Sequence, residues 1–218
     1  KISKIYGILN GTSNYILSSM DKQDKDFEAV LNDAKKLGYA ESNPKADING
    51  DDVSSKLKIL SSLCFNSFLN NNIYVEGIKD IDKTDIDNAN ILGYKIKLLG
   101  FAELLNNKIY QRVHPTLIKK TSYVASIDGV LNAVIVDGKP VGQSTIQGEG
   151  AGPGPTSSSL LSDLLSILRG NTKYPFGISS IKRKSIKTFN NDKYTNSLYL
   201  RFEVKDKQGV LSLITNRL

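Results

Sequence analysis

Asp85-Ile86-Asp87-Asn88-Ala89-Asn90-Ile91-Leu92-Gly93, followed at once by Ile96-Lys97-Leu98-Leu99-Gly100-Phe101-Ala102, is the stretch in which the chain changes its period. Up to Leu92 the residues suit a helix, and Gly93 supplies the left-handed position on which helices commonly stop. Beyond Gly93 the apolar residues alternate or run on without a break, as they do along strands that are buried on one or both faces. Three further segments share that pattern: Lys108–Val113, Asn132–Val136 and Val141–Ile146. Helical segments before the switch and strands after it imply an α+β fold, a mixed β-sheet with helices packed on one face.

Towards the N-terminus the pattern is helical, apart from one short apolar strand at Ile2–Leu9. Asn10-Gly11-Thr12-Ser13 reads as a turn and helix cap, because Asn, Ser and Thr side chains satisfy the free N–H groups of a first helical turn. Asn14–Met20 continues that helix. Phe27, Val30, Leu31 and Ala34 repeat at helical spacing, and Gly38 follows as the cap. Tyr39–Gly50 is a polar loop around Pro44. A long helix then covers Asp51–Phe65, with Val53, Leu57, Leu60 and Cys64 on one stripe. Towards the C-terminus, Gly148–Gly154 opens a helix that continues over Ser157–Leu168, and Ser197–Lys205 alternates as a strand before a turn into Val210-Leu211.

Composition limits the function classes. With 218 residues, 39% hydrophobic and 23% charged, the chain can bury a core, which excludes a disordered tail or a fibre. No apolar stretch approaches the roughly 18 residues of a membrane helix, so a soluble protein without a membrane partner is expected. Cys64 has no second cysteine to pair with, which fits a reducing compartment such as the cytoplasm. The net charge of +7 is uneven, because residues 169–193 alone contribute +6. Charge concentrated in one connector suits a solvated linker better than a nucleic-acid-binding face, so no nucleic-acid partner is expected. The chain starts at Lys1 without an initiator Met and ends at Leu218 just after an expected strand, as a piece of a longer protein would.

The densest polar cluster is Gly38-Tyr39-Ala40-Glu41, then Asp47, then Asp51-Asp52-Val53-Ser54-Ser55-Lys56. Asp52 and Lys56 stand four apart on one helix face. They lie where an apolar stripe emerges into a polar loop, a suitable place for the edge of a site. A partly desolvated lysine beside a carboxylate can give or take a proton. The plainer alternative is a surface ion pair worth about 0.3–0.5 kcal/mol.

These residues also carry a resemblance. Gly7-Ile8-Leu9-Asn10-Gly11-Thr12-Ser13-Asn14-Tyr15-Ile16-Leu17, Leu37-Gly38-Tyr39-Ala40-Glu41, and Asp47-Ile48-Asn49-Gly50 with Asp52 and Lys56 resemble the homoserine dehydrogenase family. So do Val75-Glu76-Gly77-Ile78, Arg112-Val113-His114-Pro115-Thr116, and Gly148-Glu149-Gly150-Ala151-Gly152 leading to Pro155-Thr156. The strings follow the family's order over most of residues 5–170.

The resemblance implies an oxidoreductase that interconverts homoserine and aspartate semialdehyde with NAD or NADP, in threonine and methionine biosynthesis. It implies that Lys56 is the general acid/base and Asp52 its neighbour. Glu41 and Asp47 would hold the amino-acid substrate, in a pocket lined by Tyr39, Thr12 and Gly38. Gly150, Gly152 and Asn10 would lie beside the cofactor. It further implies a homodimer formed through the sheet. The residues divide into a catalytic and dimerisation domain (1–170), a basic connector (171–196), and the truncated start of an ACT-like regulatory domain (197–218).

The sequence departs from the family at Ser42-Asn43-Pro44, where many members have an acidic residue, and at Asp51, Ser54 and Ser55. No G-x-G-x-x-G follows a strand, so most of the dinucleotide site is expected in a domain absent here, and these residues alone are expected to be inactive. No metal site is expected, since His114 is the only histidine and has no neighbouring ligands. Two other readings stay open on the residues alone: a related two-domain NAD(P) oxidoreductase with another substrate, and a non-enzymatic dimerisation or amino-acid-sensing module.

Overall fold

The structure, a computed structural model, describes residues 1–67, 73–172, 174, 179, 182–183, 185–189, 194–205 and 207–217. Strand β1 (Ile2–Ile8) leads into helices α1 (Gly11–Gln23), α2 (Phe27–Lys36), α3 (Lys45–Ile48) and α4 (Asp51–Phe65). The two-residue strand β2 (Tyr74–Val75) and helix α5 (Lys83–Ile91) precede the paired strands β3 (Tyr94–Leu105) and β4 (Lys108–Lys119). A 3₁₀ turn at Tyr123–Ser126, strands β5 (Leu131–Gly138) and β6 (Gly142–Glu149), and helices α6 (Pro153–Leu168) and α7 (Val210–Thr215) complete the order.

The six strands form one sheet in the order β2-β4-β3-β1-β5-β6. All neighbours are antiparallel except β2 and β4, so the sheet is mixed as expected. The β3–β4 hairpin is longer than the periodicity suggests and passes through His114 and Pro115, which lie within β4 rather than at its end. Beyond Val113, β4 has only β3 beside it, and proline is tolerated on such an edge because its missing N–H faces no partner. The two-residue turn at Asn106 and Asn107 holds both residues at positive φ, a twist that matches the strands it joins.

Alternation along β1 and β3 divides the core into two faces. Ile5 of β1, Leu9 just past its end, and Ile96, Leu98 and Ala102 of β3 meet α1, α2, α4 and α5 on one face. Val53 and Leu57 of α4 are fully buried there, while Leu60 and Cys64 are half-buried. Ile8, Leu99, Ala133 and Ile135 form a smaller cluster on the other face with Val124 and Ile127. Gly38 has φ +76° and ends α2 as its sequence suggests.

Two expectations for the C-terminal third do not hold. Among the described residues, Ser197–Lys205 pairs with no strand, because an alternating segment becomes a ladder only where an open edge meets it. It is instead held by side chains. Arg201 binds Asp85 at 2.8 and 3.2 Å and Asp82 at 2.7 Å, and the Tyr199 hydroxyl donates to Asp85. The connector is not simply a solvated linker either. Ile109 N donates to Lys187 O, Phe189 N donates to Ile109 O, and Tyr194 stacks on Tyr110 at 3.8 Å. Ile109 lies where β2 no longer borders β4, so its backbone groups are open to this pairing. Lys173, Lys184, Asp192 and Lys193 of the connector, and Asp206 of the expected turn, lie outside the described residues.

Candidate active site

The end of β1 and the start of α4 build one polar cluster. Lys56 on the second turn of α4 donates to the Leu9 carbonyl at 3.0 Å and pairs with Asp52 Oδ2 at 2.7 Å. Its side chain remains 44% exposed, so the ammonium is anchored but accessible. A lysine ammonium has three N–H donors, and these two contacts leave one available.

Asn10, buried at the N-cap of α1, connects this pair to a second carboxylate. Its Nδ2 donates to Asp52 Oδ2 at 2.9 Å and to Asp47 Oδ1 at 2.7 Å, while its Oδ1 accepts from Ser13 N at 2.8 Å. Asp47 reaches the cluster because the polar loop expected at 39–50 contains the short helix α3. That helix is docked by backbone: Ile78 N donates to Ile48 O at 2.8 Å. The approach requires Gly77, where a Cβ would lie 2.2 Å from the Ile48 carbonyl oxygen.

The structure thus brings Asp47, Asp52 and Lys56 together with Asn10. Thr12 is linked to the neighbouring loop, its hydroxyl donating to Tyr39 O at 2.7 Å, and the Tyr39 ring packs on Tyr15. Glu41 stands on that loop, exposed and with no hydrogen-bond or ion-pair partner among the described residues. Asp51 is exposed at the first turn of α4, and Gly50 rather than Asp51 occupies its cap.

Gly150 and Gly152 lie past the end of β6. The registers Ile8–Ala133 and Leu131–Glu149 place that end level with Asn10 and two strands away, about 10 Å at ordinary strand spacing. Gly148–Gly154 is largely exposed. A Cβ on Gly150 would fall 1.8 Å from Asn132 Nδ2, and Asn132 Oδ1 is buried without a hydrogen-bond partner among the described residues. The Asn132 side chain therefore fills the space a side chain at Gly150 would need, which requires glycine there. Both side-chain amide hydrogens of Asn10 are engaged by carboxylates.

The sequence model of the homoserine dehydrogenase family matches residues 1–165. The chain belongs to the homoserine dehydrogenase family. The homoserine dehydrogenase of Neisseria gonorrhoeae is 41% identical over 223 residues, which take in 98% of this chain and 51% of that protein. The crystal structure of a homoserine dehydrogenase from Thiobacillus denitrificans superposes with a TM-score of 0.79 at 39% identity, covering 99% of this chain and 51% of that one. A hyperthermophilic archaeal homoserine dehydrogenase mutant in complex with NADPH shares the fold at 24% identity and a TM-score of 0.65, over 78% of this chain and 48% of that one. The chain spans about half the length of the curated relatives it matches.

Within this homoserine dehydrogenase fold, the sequence did not single out Leu9, which acts through its backbone carbonyl, or Asn132, whose only local signal is a polar residue in an apolar strand. Gly77 was visible solely as part of the family string Val75–Ile78. His114 is half-buried. Burial pushes its imidazole below the ordinary range, against the hydrogen bond to Pro115 O. Among the described residues no group of three His, Cys, Asp or Glu side chains could hold a metal ion, and no helix is long and apolar enough to cross a membrane.

Proposed function

We propose that the full-length protein interconverts L-homoserine and L-aspartate 4-semialdehyde, with Lys56 as the proton-transfer residue. The observation that carries this reading is the anchoring of Lys56 by Asp52 and the Leu9 carbonyl, with one N–H left over and the side chain open to a ligand. In the oxidative direction, neutral Lys56 takes the proton of the substrate hydroxyl as hydride leaves the carbon that bears it. In the reductive direction, the ammonium returns that proton to the carbonyl oxygen. Asp52 fixes the amine in place. Asp47 and Glu41 supply the anionic groups that pair with the substrate ammonium. Thr12, Tyr39 and Gly38 shape that side of the pocket.

NAD or NADP, when bound, supplies the hydride acceptor or donor. Gly150 and Gly152, with Asn132 behind them, are the groups of this chain that would border it. Most of its site belongs to a further domain, since residues 1–170 serve as the catalytic and dimerisation unit and lack the glycine fingerprint of a dinucleotide fold. The homodimer forms through the open part of the sheet. Residues 197–218 begin an ACT-like regulatory module beyond the connector at 171–196, and the enzyme works in the cytoplasm.

Kinetics of the full-length protein test this. NAD or NADP reduction is expected to depend on homoserine, and Lys56→Ala is expected to lower turnover about a hundredfold or more. Unchanged turnover in Lys56→Ala would remove Lys56 from the chemistry.

A further inference from the structure

We propose that Asn10 is a positioning residue for the reaction, a two-pronged donor that sets the spacing of Asp47 and Asp52 and so the place of Lys56. The inference rests on the functional reading above and adds a role that the family resemblance, which puts Asn10 with the cofactor, does not give it.

The argument begins with donors and acceptors. An asparagine amide has two N–H donors on one nitrogen and a carbonyl acceptor. Asn10 is only 5% exposed, and all three functions are engaged: one N–H on Asp47 at 2.7 Å, the other on Asp52 at 2.9 Å, and the carbonyl on the Ser13 N–H at 2.8 Å. The cap fixes the direction of the side chain, and the side chain then fixes both carboxylates. Two carboxylates on one small site repel each other, and a shared amide between them offsets that repulsion without adding a charge.

Sequence neighbours make the arrangement rigid. Leu9, immediately before Asn10, accepts from Lys56 through its carbonyl, and Asp52 Oδ2 receives both the Asn10 amide and the Lys56 ammonium. Two consecutive residues at the end of β1 therefore hold both members of the Lys56–Asp52 pair. Asp47, on the separately docked helix α3, has among the described residues only this side-chain hydrogen bond to tie it to the pair. No other side chain of similar size replaces Asn10. Aspartate would keep the cap but set a third carboxylate against the other two, and serine or threonine would keep the cap with neither amide prong.

That last property gives the test. In the full-length protein, Asn10→Ser retains a capping oxygen and removes both donors to the carboxylates. Asn10→Thr does the same and suits the extended backbone at this position (φ −138°, ψ 120°), should the serine variant not fold. Crystal structures of wild type and variant are expected to show the Asp47 carboxylate displaced from Asp52. With homoserine as substrate, kcat is expected to fall and KM for homoserine to rise, together about a hundredfold in kcat/KM, the scale of a misplacement near 1 Å. KM for the dinucleotide is expected to stay close to wild type, while the melting temperature falls by about a few degrees as the two carboxylates lose their shared donor.

Carboxylates that stay in place in the variant would overturn the proposal, whatever the activity. So would a rise in KM confined to the dinucleotide, which would return Asn10 to the cofactor. Absence of homoserine-dependent turnover in the wild type would sink the functional reading instead, and the carboxylate positions in the variant would still decide whether Asn10 spaces them.

Discussion

Two of the chain's lysine–aspartate pairs, Lys97–Asp128 and Lys56–Asp52, differ in what surrounds the ammonium. Lys97 is 1% exposed and gives its N–H groups to Asn14 Oδ1 at 3.0 Å, Ile127 O at 2.6 Å and Asp128 at 2.8 Å. Lys56 is 44% exposed and meets two acceptors. The first lysine is saturated and closed in; the second keeps a donor and an opening. Burial pushes Lys97 below the ordinary lysine range, against the hydrogen bond and charge of Asp128. For Asp128, burial alone would raise the carboxyl, but hydrogen bonds from Lys22 and Lys97 and the charges of Lys97 and Lys95 bring it down to about 2. Identical side chains thus form a closed brace in one place and an open pair, which the proposed reaction would use, in the other, and the number of donors left over separates the two.

The difference can be broken deliberately. The largest effect is expected from Asp128→Ala, which leaves the Lys97 charge buried without its carboxylate. Urea unfolding should record a loss of about 3–5 kcal/mol, the range for a buried pair broken on one side. A loss below about 1 kcal/mol would mean that Lys97 has water or another partner.

A pH series sharpens the same contrast at smaller amplitude. Asp128 has its folded pKa depressed to about 2 from an ordinary 3.8, so its contribution is present above the ordinary value and is lost as pH falls through the folded one. Stability should therefore decline between about pH 4 and pH 2, and Asp128→Asn should flatten that part of the curve. An unchanged acid limb in the variant would place the titration on other carboxylates.

The smallest expected shift belongs to the other pair. Lys56→Ala, costly for turnover, should unfold within about 1 kcal/mol of wild type, as partly exposed ion pairs do. A destabilisation as large as that of Asp128→Ala would make Lys56 a second brace.

The two pairs also mark what the sequence could disclose. Asp52 and Lys56 are four apart on a helix, and helical spacing alone puts them on one face. Lys97 and Asp128 are 31 residues apart, joined only after β3, α1 and the turn before β5 have packed, and nothing local signals the meeting. The same contrast holds for the fold. The amphipathic helix through Phe27, Val30, Leu31 and Ala34 and the longer strands of the sheet were legible from periodicity. The four-residue helix α3, the two-residue strand β2 and the pairing of the connector with Ile109 are too short or too dependent on distant partners to leave a pattern. Ser197–Lys205 has the alternation of a strand, but alternation shows which side chains share a face and not whether a neighbouring strand exists. At the site, Asp47, Asp52 and Lys56 were singled out as residues, whereas the hydrogen bonds by which the Asn10 amide links the two carboxylates were not. A cap residue near a turn gives no sign of which distant carboxylates its other donors will reach.

The central claim, that Lys56 keeps one donor for a substrate oxygen, is tested most directly by a crystal structure of the full-length protein with homoserine bound. The account predicts the homoserine hydroxyl oxygen within about 3 Å of Lys56 Nζ, with Asp52 and the Leu9 carbonyl still holding that nitrogen. A hydroxyl bonded to other groups, with Lys56 restricted to its two present contacts, would contradict it.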